Sequence, residues 1–306
     1  MSHFKEGEFV HIKNSSFYIE KAIGSGVQGE VYKAFDCKNR KHVALKFLFG
    51  NYAPRKMKKT YYDRTNFLSC QNSFHKAFAW PEDVGEFDEA NGCFLYTMPL
   101  KEGFMPTGYL IRFPKSFTPQ IRVQVILKVL EAFISLEKNN LFYADISEEN
   151  ILFKVNSVGE VEVAIIDCEN ITPPSMTLGL QGCGLYKAPE VFLGKSPTIE
   201  SMAHSMCVWI FRILSGGTHP FNGKKTENTL WDEETIVKFY GINPEFVFSS
   251  ENDNEPYPTA IEAWEKLPLL MHYFFIYAFS PDVLKGKKPR MSLQYMYEHI
   301  KKAYNL

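Results

Sequence analysis

Nowhere in this chain do two cysteines stand close enough to form a CxxC pair. Its six cysteines (Cys37, Cys70, Cys93, Cys168, Cys183 and Cys207) are scattered, which excludes a zinc knuckle and a disulfide scaffold and leaves reduced, buried thiols. Long hydrophobic runs are also missing. The two most apolar stretches, 202–214 and 267–279, reach about 13 residues, against the roughly 20 a membrane span needs. Both are expected to be buried core helices, with no membrane span. Residues 1–13 have no apolar core, so no secretory signal is expected and the expected location is cytoplasmic. A net charge of −1 supplies no general attraction to nucleic acid or membrane surfaces. Internal repeats and low-complexity tails are absent.

What the chain has is aromatic mass, 26 Phe and 16 Tyr in 306 residues, enough for one large domain or two closely packed lobes. Residues 17–23, 31–36 and 41–49 are rich in β-branched and aromatic residues and bounded by turn formers, which predicts strands. Residues 55–70 read as a helix with a basic start at Arg55, Lys56, Lys58 and Lys59. Residues 80–87 and 93–98 read as a hairpin turned by Asn91-Gly92. After Leu100 the texture becomes helical. Thr118-Pro119 is an N-cap followed by a first-turn proline, opening a helix to Lys138. Residues 151–154 and 161–166 form a second small hairpin, and beyond Ala188 helices dominate apart from a loop-like stretch at 221–258.

Three groups of residues could carry chemistry. Gly24-Ser25-Gly26-Val-Gln-Gly29-Glu-Val31 lies between two strands. That placement excludes a dinucleotide fold, whose glycines must lead into a helix, and suits a hairpin whose backbone N–H groups face phosphate oxygens. Lys46 follows in Val43-Ala44-Leu45-Lys46, sharing a strand face with Ala44 beneath that hairpin. Finally, Asp145 and Asn150 flank a short loop, and Ile165-Ile166-Asp167 ends an apolar strand in a carboxylate. An aspartate in the loop can orient a hydroxyl and accept its proton; Asn150 and Asp167 offer hard oxygen ligands for Mg²⁺, with Mn²⁺ as a substitute.

In this order and spacing the motifs resemble those of eukaryotic-type Ser/Thr protein kinases, matched from the glycine loop through Ala188-Pro189-Glu190 to Arg290. The strings Ala79-Trp80-Pro81, Tyr96-Thr-Met-Pro99 and Gly216-Gly-Thr-His219-Pro-Phe221 are similar to a bacterial branch of them. The resemblance implies an α+β, bilobal fold. Residues 1–98 would form a small antiparallel-sheet N-lobe with one helix, and residues 99–306 a mainly helical C-lobe. It implies ATP under the glycine loop, against Val31 and Ala44, with adenine at Met98, Pro99 and Lys101. Lys46 would hold the α- and β-phosphates, Asp167 and Asn150 a metal, and Asp145 the acceptor hydroxyl of a protein substrate. Glu190 would pair with Arg290.

The pattern is departed from at five places. Ala144 stands where an arginine precedes the aspartate, and Ser147 where a lysine follows it. Cys168-Glu169 replaces Phe-Gly, which removes a glycine hinge. No glutamate lies between Lys46 and Glu82, leaving Asp63 as the helical candidate to partner Lys46. Met202 stands where an aspartate would brace the catalytic loop. Two alternatives therefore remain open: a pseudokinase serving as nucleotide-binding scaffold or regulator, and a small-molecule kinase.

Overall fold

Five antiparallel strands begin the chain, in spatial order β1-β2-β3-β4-β5: Phe9–Ile12, Ser15–Ser25, Gly29–Asp36, Lys41–Leu48 and Phe94–Pro99. The computed structural model describes residues 3–26, 28–49, 55–180, 182–227, 229, 232–251 and 253–306; the side chains of Arg55 and Lys56, at the expected basic start of the first helix, lie outside the described set. In β4 every residue from Val43 to Leu48 is buried, so burial does not alternate as one solvated face would require. The alternation survives in which layer each side chain joins. Val43, Leu45 and Phe47 enter a core with Val10, Ile12, Phe17, Ile19, Tyr32 and Ala34, whereas Ala44 and Lys46 have the opposite parity.

Helix α1, Arg55–Ser69, buries Tyr61, Arg64, Thr65 and Leu68, one face at helical spacing. Trp80 Nε1 donates to Leu68 O at 3.0 Å and Gln71 O at 3.1 Å, tying the helix end to the stretch before β5. That stretch is not the regular strand expected at 80–87. It makes isolated bridges, Val84 with Tyr96 and Asp88 with Cys93, while the predicted turn closes with Gly92 at φ 64°.

The chain divides into two compact units, residues 1–103 with 164–179, and residues 104–163 with 180–306. The return of 164–179 to the first unit has a visible cause. Ile165 donates to Ala77 O at 2.9 Å and accepts from Ala79 N at 2.8 Å, a parallel bridge opposite Phe78.

The second unit carries β6 (Met105–Pro106), α2 (Gly108–Arg112), α3 (Pro119–Lys138), β7 (Phe142–Tyr143) and β8 (Ile151–Val155). Thr118 caps α3 by accepting from Ile121 N, as Thr-Pro predicts. β9 (Val161–Ile165) follows β8 and runs out of this unit, and the short β10 (Ile171–Thr172) belongs to the first. Then come α4 (Pro189–Phe192), α5 (Ile199–Leu214), α6 (Glu233–Ile236), α7 (Pro258–Trp264), α8 (Leu269–Ala278), α9 (Pro281–Leu284) and α10 (Leu293–Ala303). The class is α+β, with a sheet-rich first unit and a mainly helical second.

α5 is buried almost throughout, as its composition predicts. α8 is not: Met271, Phe274, Phe275 and Ala278 are buried, while Leu269 and Tyr273 are about three-fifths exposed. The expectation of a fully buried helix there is corrected to a helix with one buried stripe. The 221–258 stretch likewise contains α6, continuing into a π-helical turn over Val237–Ile242. Many phenylalanines meet around Phe211, which touches Phe246, Phe275 and Phe279; Trp264 stacks between Phe248 and His272 with ring planes 9° apart on each side. Among the described residues no helix is long and apolar enough to cross a membrane.

Candidate active site

In the first unit, one cross-strand row links the glycine hairpin to the strand lysine. Gly24 lies opposite Val31, Val31 opposite Lys46, and Lys46 opposite Tyr96. Ala44 pairs with Met98 in the same way. The hairpin tip is closed by Gly26 N donating to Gly29 O at 2.9 Å, and β2 is irregular between Ala22 and Gly24. Gly24, Ser25 and Gly26 are exposed. Gly29 is required for a different reason: a Cβ there would stand 2.3 Å from Phe47 O. Of the three residues expected around adenine, Met98 is buried, Pro99 and Lys101 are partly exposed, and Lys101 Nζ donates to Lys76 O at 2.8 Å.

Lys46 is only 4% exposed. Its ammonium donates to Asp167 Oδ1 at 2.8 Å and also to Glu169 Oε1. Burial by itself would lower the Lys46 pKa, but the Asp167 and Glu169 carboxylates override it and hold the ammonium above its ordinary range. Tyr96 completes the cluster, its hydroxyl donating to Glu169 Oε2 at 2.6 Å. Burial, reinforced by the two carboxylate charges, raises that phenol far enough to keep it a donor. Asp167 sits at φ 55°, ψ 42°, a left-handed conformation that strains a non-glycine residue by about 1–2 kcal/mol. Backbone strain of this kind gathers at functional sites.

These contacts correct the expected partner of Lys46. Asp63 is an exposed residue that pairs with Lys59 one helical turn away at 3.5 Å. The second carboxylate that pairs with Lys46 is Glu169, fully buried, at the place where the pattern has glycine. Two clues in the sequence stood side by side: no glutamate before Glu82, and a glutamate in place of that glycine. Reading Glu169 only as a lost hinge left them unjoined.

In the second unit, Asp145 and Asn150 are brought together. Asn150 Nδ2 donates to Asp145 O at 2.9 Å and to Asp145 Oδ2 at 2.8 Å, and Asn150 N donates to Ser147 Oγ at 3.2 Å. With its NH₂ spent on Asp145, the Asn150 side chain retains its amide oxygen as acceptor, a hard donor suited to Mg²⁺. The Cys183 thiol hydrogen-bonds both Ser147 and Asp145; burial, with the Asp145 charge, pushes it up to about 12, so it stays a neutral thiol.

The loop's supports were not foreseen. Arg212 of α5 donates to Glu148 and to the Tyr186 hydroxyl, and Thr107 Oγ1 donates to Glu148 O at 3.2 Å while accepting from Trp209 Nε1. Met202, buried where an aspartate was expected, receives the Tyr143 N–H on its sulfur at 3.2 Å. A weak acceptor has replaced a charged one. Glu190 and Arg290 form the pairing the resemblance implies, through two hydrogen bonds of 2.6 Å. Thr172 is buried, its hydroxyl bonded to Pro173 O and Met176 O.

The protein kinase domain model matches residues 17–267. The chain belongs to that family. It is similar to the probable serine/threonine-protein kinase PknB of Lactococcus lactis, 24% identical over 242 residues, which covers 77% of this chain and 37% of that protein. To the serine/threonine-protein kinase TOUSLED of Arabidopsis thaliana it is 26% identical over 239 residues, 74% of this chain and 34% of that one. To the serine/threonine-protein kinase PknD of Mycobacterium tuberculosis it is 22% identical over 215 residues, 70% and 32% of the two chains. The chain thus spans about a third of the length of these curated relatives.

Proposed function

We propose that this chain is an ATP-dependent protein kinase that transfers the γ-phosphate of Mg-ATP to serine or threonine hydroxyls of a protein. The observation that carries this reading is the ion pair of the buried Lys46 with the part-exposed Asp167, kept in a chain that has lost much of the surrounding pattern. A lysine in a strand beneath a glycine hairpin is placed to hold phosphate oxygens, and its raised pKa keeps it cationic. The exposed glycines Gly24 and Gly26 would let the hairpin backbone lie close to the phosphates, over Val31 and Ala44, with adenine at Met98, Pro99 and Lys101. Asp167 and Asn150 supply oxygen donors that would hold Mg²⁺, which when bound neutralises phosphate charge. Asp145, oriented by Asn150, would align the acceptor hydroxyl and take its proton, an effect of roughly 10²–10⁴ in rate. Glu190–Arg290, which closes the Ala-Pro-Glu segment, supports a polypeptide acceptor over a small molecule.

One observation favours the second reading, a nucleotide-binding regulator: Ser147 puts a hydroxyl, itself engaged by Asn150 N and Cys183, where a cation would face the transferred phosphoryl group. Transfer of labelled γ-phosphate to the chain itself and to a generic basic protein, beside Asp145→Asn, separates the two. Label in the wild type, reduced at least a hundredfold in the variant, is the expected result. Mg-dependent ATP binding with no transfer would leave the regulator reading standing instead.

A further inference from the structure

Around Lys46 the first unit gathers two cations, Lys46 and Arg64, and two carboxylates, Asp167 and Glu169; all but Asp167 are buried, and the helix contributes Arg64. Arg64 of α1 is fully buried. Its Nε donates to the Glu169 carbonyl at 3.3 Å, and its Nη1 to Leu178 O at 2.8 Å and Met176 O at 3.4 Å; its guanidinium also lies 4.4 Å from the centre of the Tyr61 ring. The acid comes from the other partner, the 168–170 turn, where Glu169 takes Lys46 on one oxygen and the Tyr96 hydroxyl on the other. Both oxygens of a fully buried carboxylate are therefore satisfied, which is what a buried charge requires.

Resting on the kinase reading above, we propose that Glu169 is the residue that positions Lys46 for the nucleotide phosphates, with Tyr96 fixing its carboxylate and Arg64 fixing its backbone. The division of charge is reversed relative to the resemblance: the helix donates to the segment after Asp167, and that segment supplies the anion. Arg64 bonds three carbonyls within 169–178, so α1 and this segment form one piece. Alignment of Lys46 then depends on the segment being folded, and no carboxylate on α1 takes part.

The test is steady-state transfer from Mg-ATP, with binding of a fluorescent ATP analogue measured in parallel, on the full chain. Wild type is compared with Glu169→Gln, Glu169→Asp and Asp63→Asn. In Glu169→Gln the KM for ATP rises about tenfold and kcat/KM falls about a hundredfold, the scale expected when a reacting group is displaced by about an ångström. Glu169→Asp recovers part of that loss, and Asp63→Asn matches wild type. A role confined to folding would lower the active fraction, hence kcat, and leave the KM for ATP unmoved. Unchanged KM in folded Glu169→Gln, or a loss in Asp63→Asn, overturns the proposal. Should Glu169→Gln fail to fold, Glu169→Asp decides: a raised KM upholds the role and a wild-type KM overturns it. A wild type that binds the analogue without transferring phosphate defeats the kinase reading alone. Weaker analogue binding in Glu169→Gln then still upholds the role of Glu169, and equal binding overturns it. A wild type that binds no nucleotide defeats both.

Discussion

Arg212 reaches Glu148 Oε1 with two donors, Nε at 2.8 Å and Nη2 at 2.7 Å, from the last turn of α5 to the loop that carries Asp145. Both side chains are mostly buried, and two guanidinium donors converge on one oxygen, which a lysine's single ammonium nitrogen would not reproduce. It braces the loop at Glu148, whereas Met202 holds Tyr143 N only through a sulfur.

Arg212→Ala is expected to lower stability by about 1.5–3 kcal/mol, the range for a hydrogen bond to a charged group, and to reduce kcat more than the KM for ATP. Urea melts and steady-state kinetics check it. Arg212→Lys should recover less than half of the stability.

The second arginine pair predicts a pH effect. Burial tends to raise the Glu190 pKa, but Arg290 outweighs it and the carboxyl is held below its ordinary value. A depressed carboxylate stabilises the fold above its unfolded pKa and loses that contribution as pH falls through its folded pKa. Arg290→Ala should therefore destabilise near neutral pH by about 2 kcal/mol and flatten the acid limb of the stability profile. Melting temperatures from pH 7 down to about 3 measure both effects.

His219 runs its own titration. It accepts from Phe221 N on Nδ1 and faces Leu185 O with Nε2, a pairing satisfied by the neutral ring with its proton on Nε2. Burial, helped by the Arg212 charge, lowers its pKa from 6.5 to about 3. Between those values the unfolded chain binds a proton that the folded one refuses, so stability falls on acidification by up to about 1.4 kcal/mol per pH unit. His219→Gln should remove that slope in urea melts taken across the window; an unchanged slope would refute the assignment.

The two ends of the glycine hairpin should behave differently. Gly29→Ala puts a methyl 2.3 Å from a β4 carbonyl, whereas a Cβ on Gly26 meets nothing within 4 Å. Gly29→Ala is expected to cost about 1–3 kcal/mol through forced backbone shifts and to weaken ATP binding. Gly26→Ala should leave the melting temperature within about a degree of wild type.

Much of this was legible in the chain because local signals agreed with tertiary demands. Thr118 accepts from Ile121 N as a capping threonine should, and α3 ends at Lys138 where its apolar spacing stops. The strands flanking Gly24–Gly29 and the placement of Lys46 on β4 followed from turn residues and β-branched runs. The four-residue β1 was too short to show a period. The stretch before β5 defeated the hairpin reading because its hydrogen bonds, Glu82 N to Thr97 O, Thr97 N to Asp83 O and Gly85 N to Leu95 O, keep no continuous ladder. The partner of Lys46 was hidden for a physical reason: Glu169 is 123 residues away in sequence, and charge pairing across such a gap leaves no periodic trace. A search confined to the helix could return only Asp63, which sits on the solvent side.

The discontinuity of the first unit has a consequence for how it comes into being. A fragment ending at Gly103 would hold the five-stranded sheet but not the residues that neutralise Lys46 or accept from Tyr96 and Arg64. Its Lys46, on the face of β4 opposite the apolar core, would stand without a counter-charge. On the ribosome the sheet must therefore wait with its lysine unneutralised while residues 104–163 are made, and only the arrival of 164–179 completes it. The small unit is first in the order of synthesis and cannot be first to finish folding.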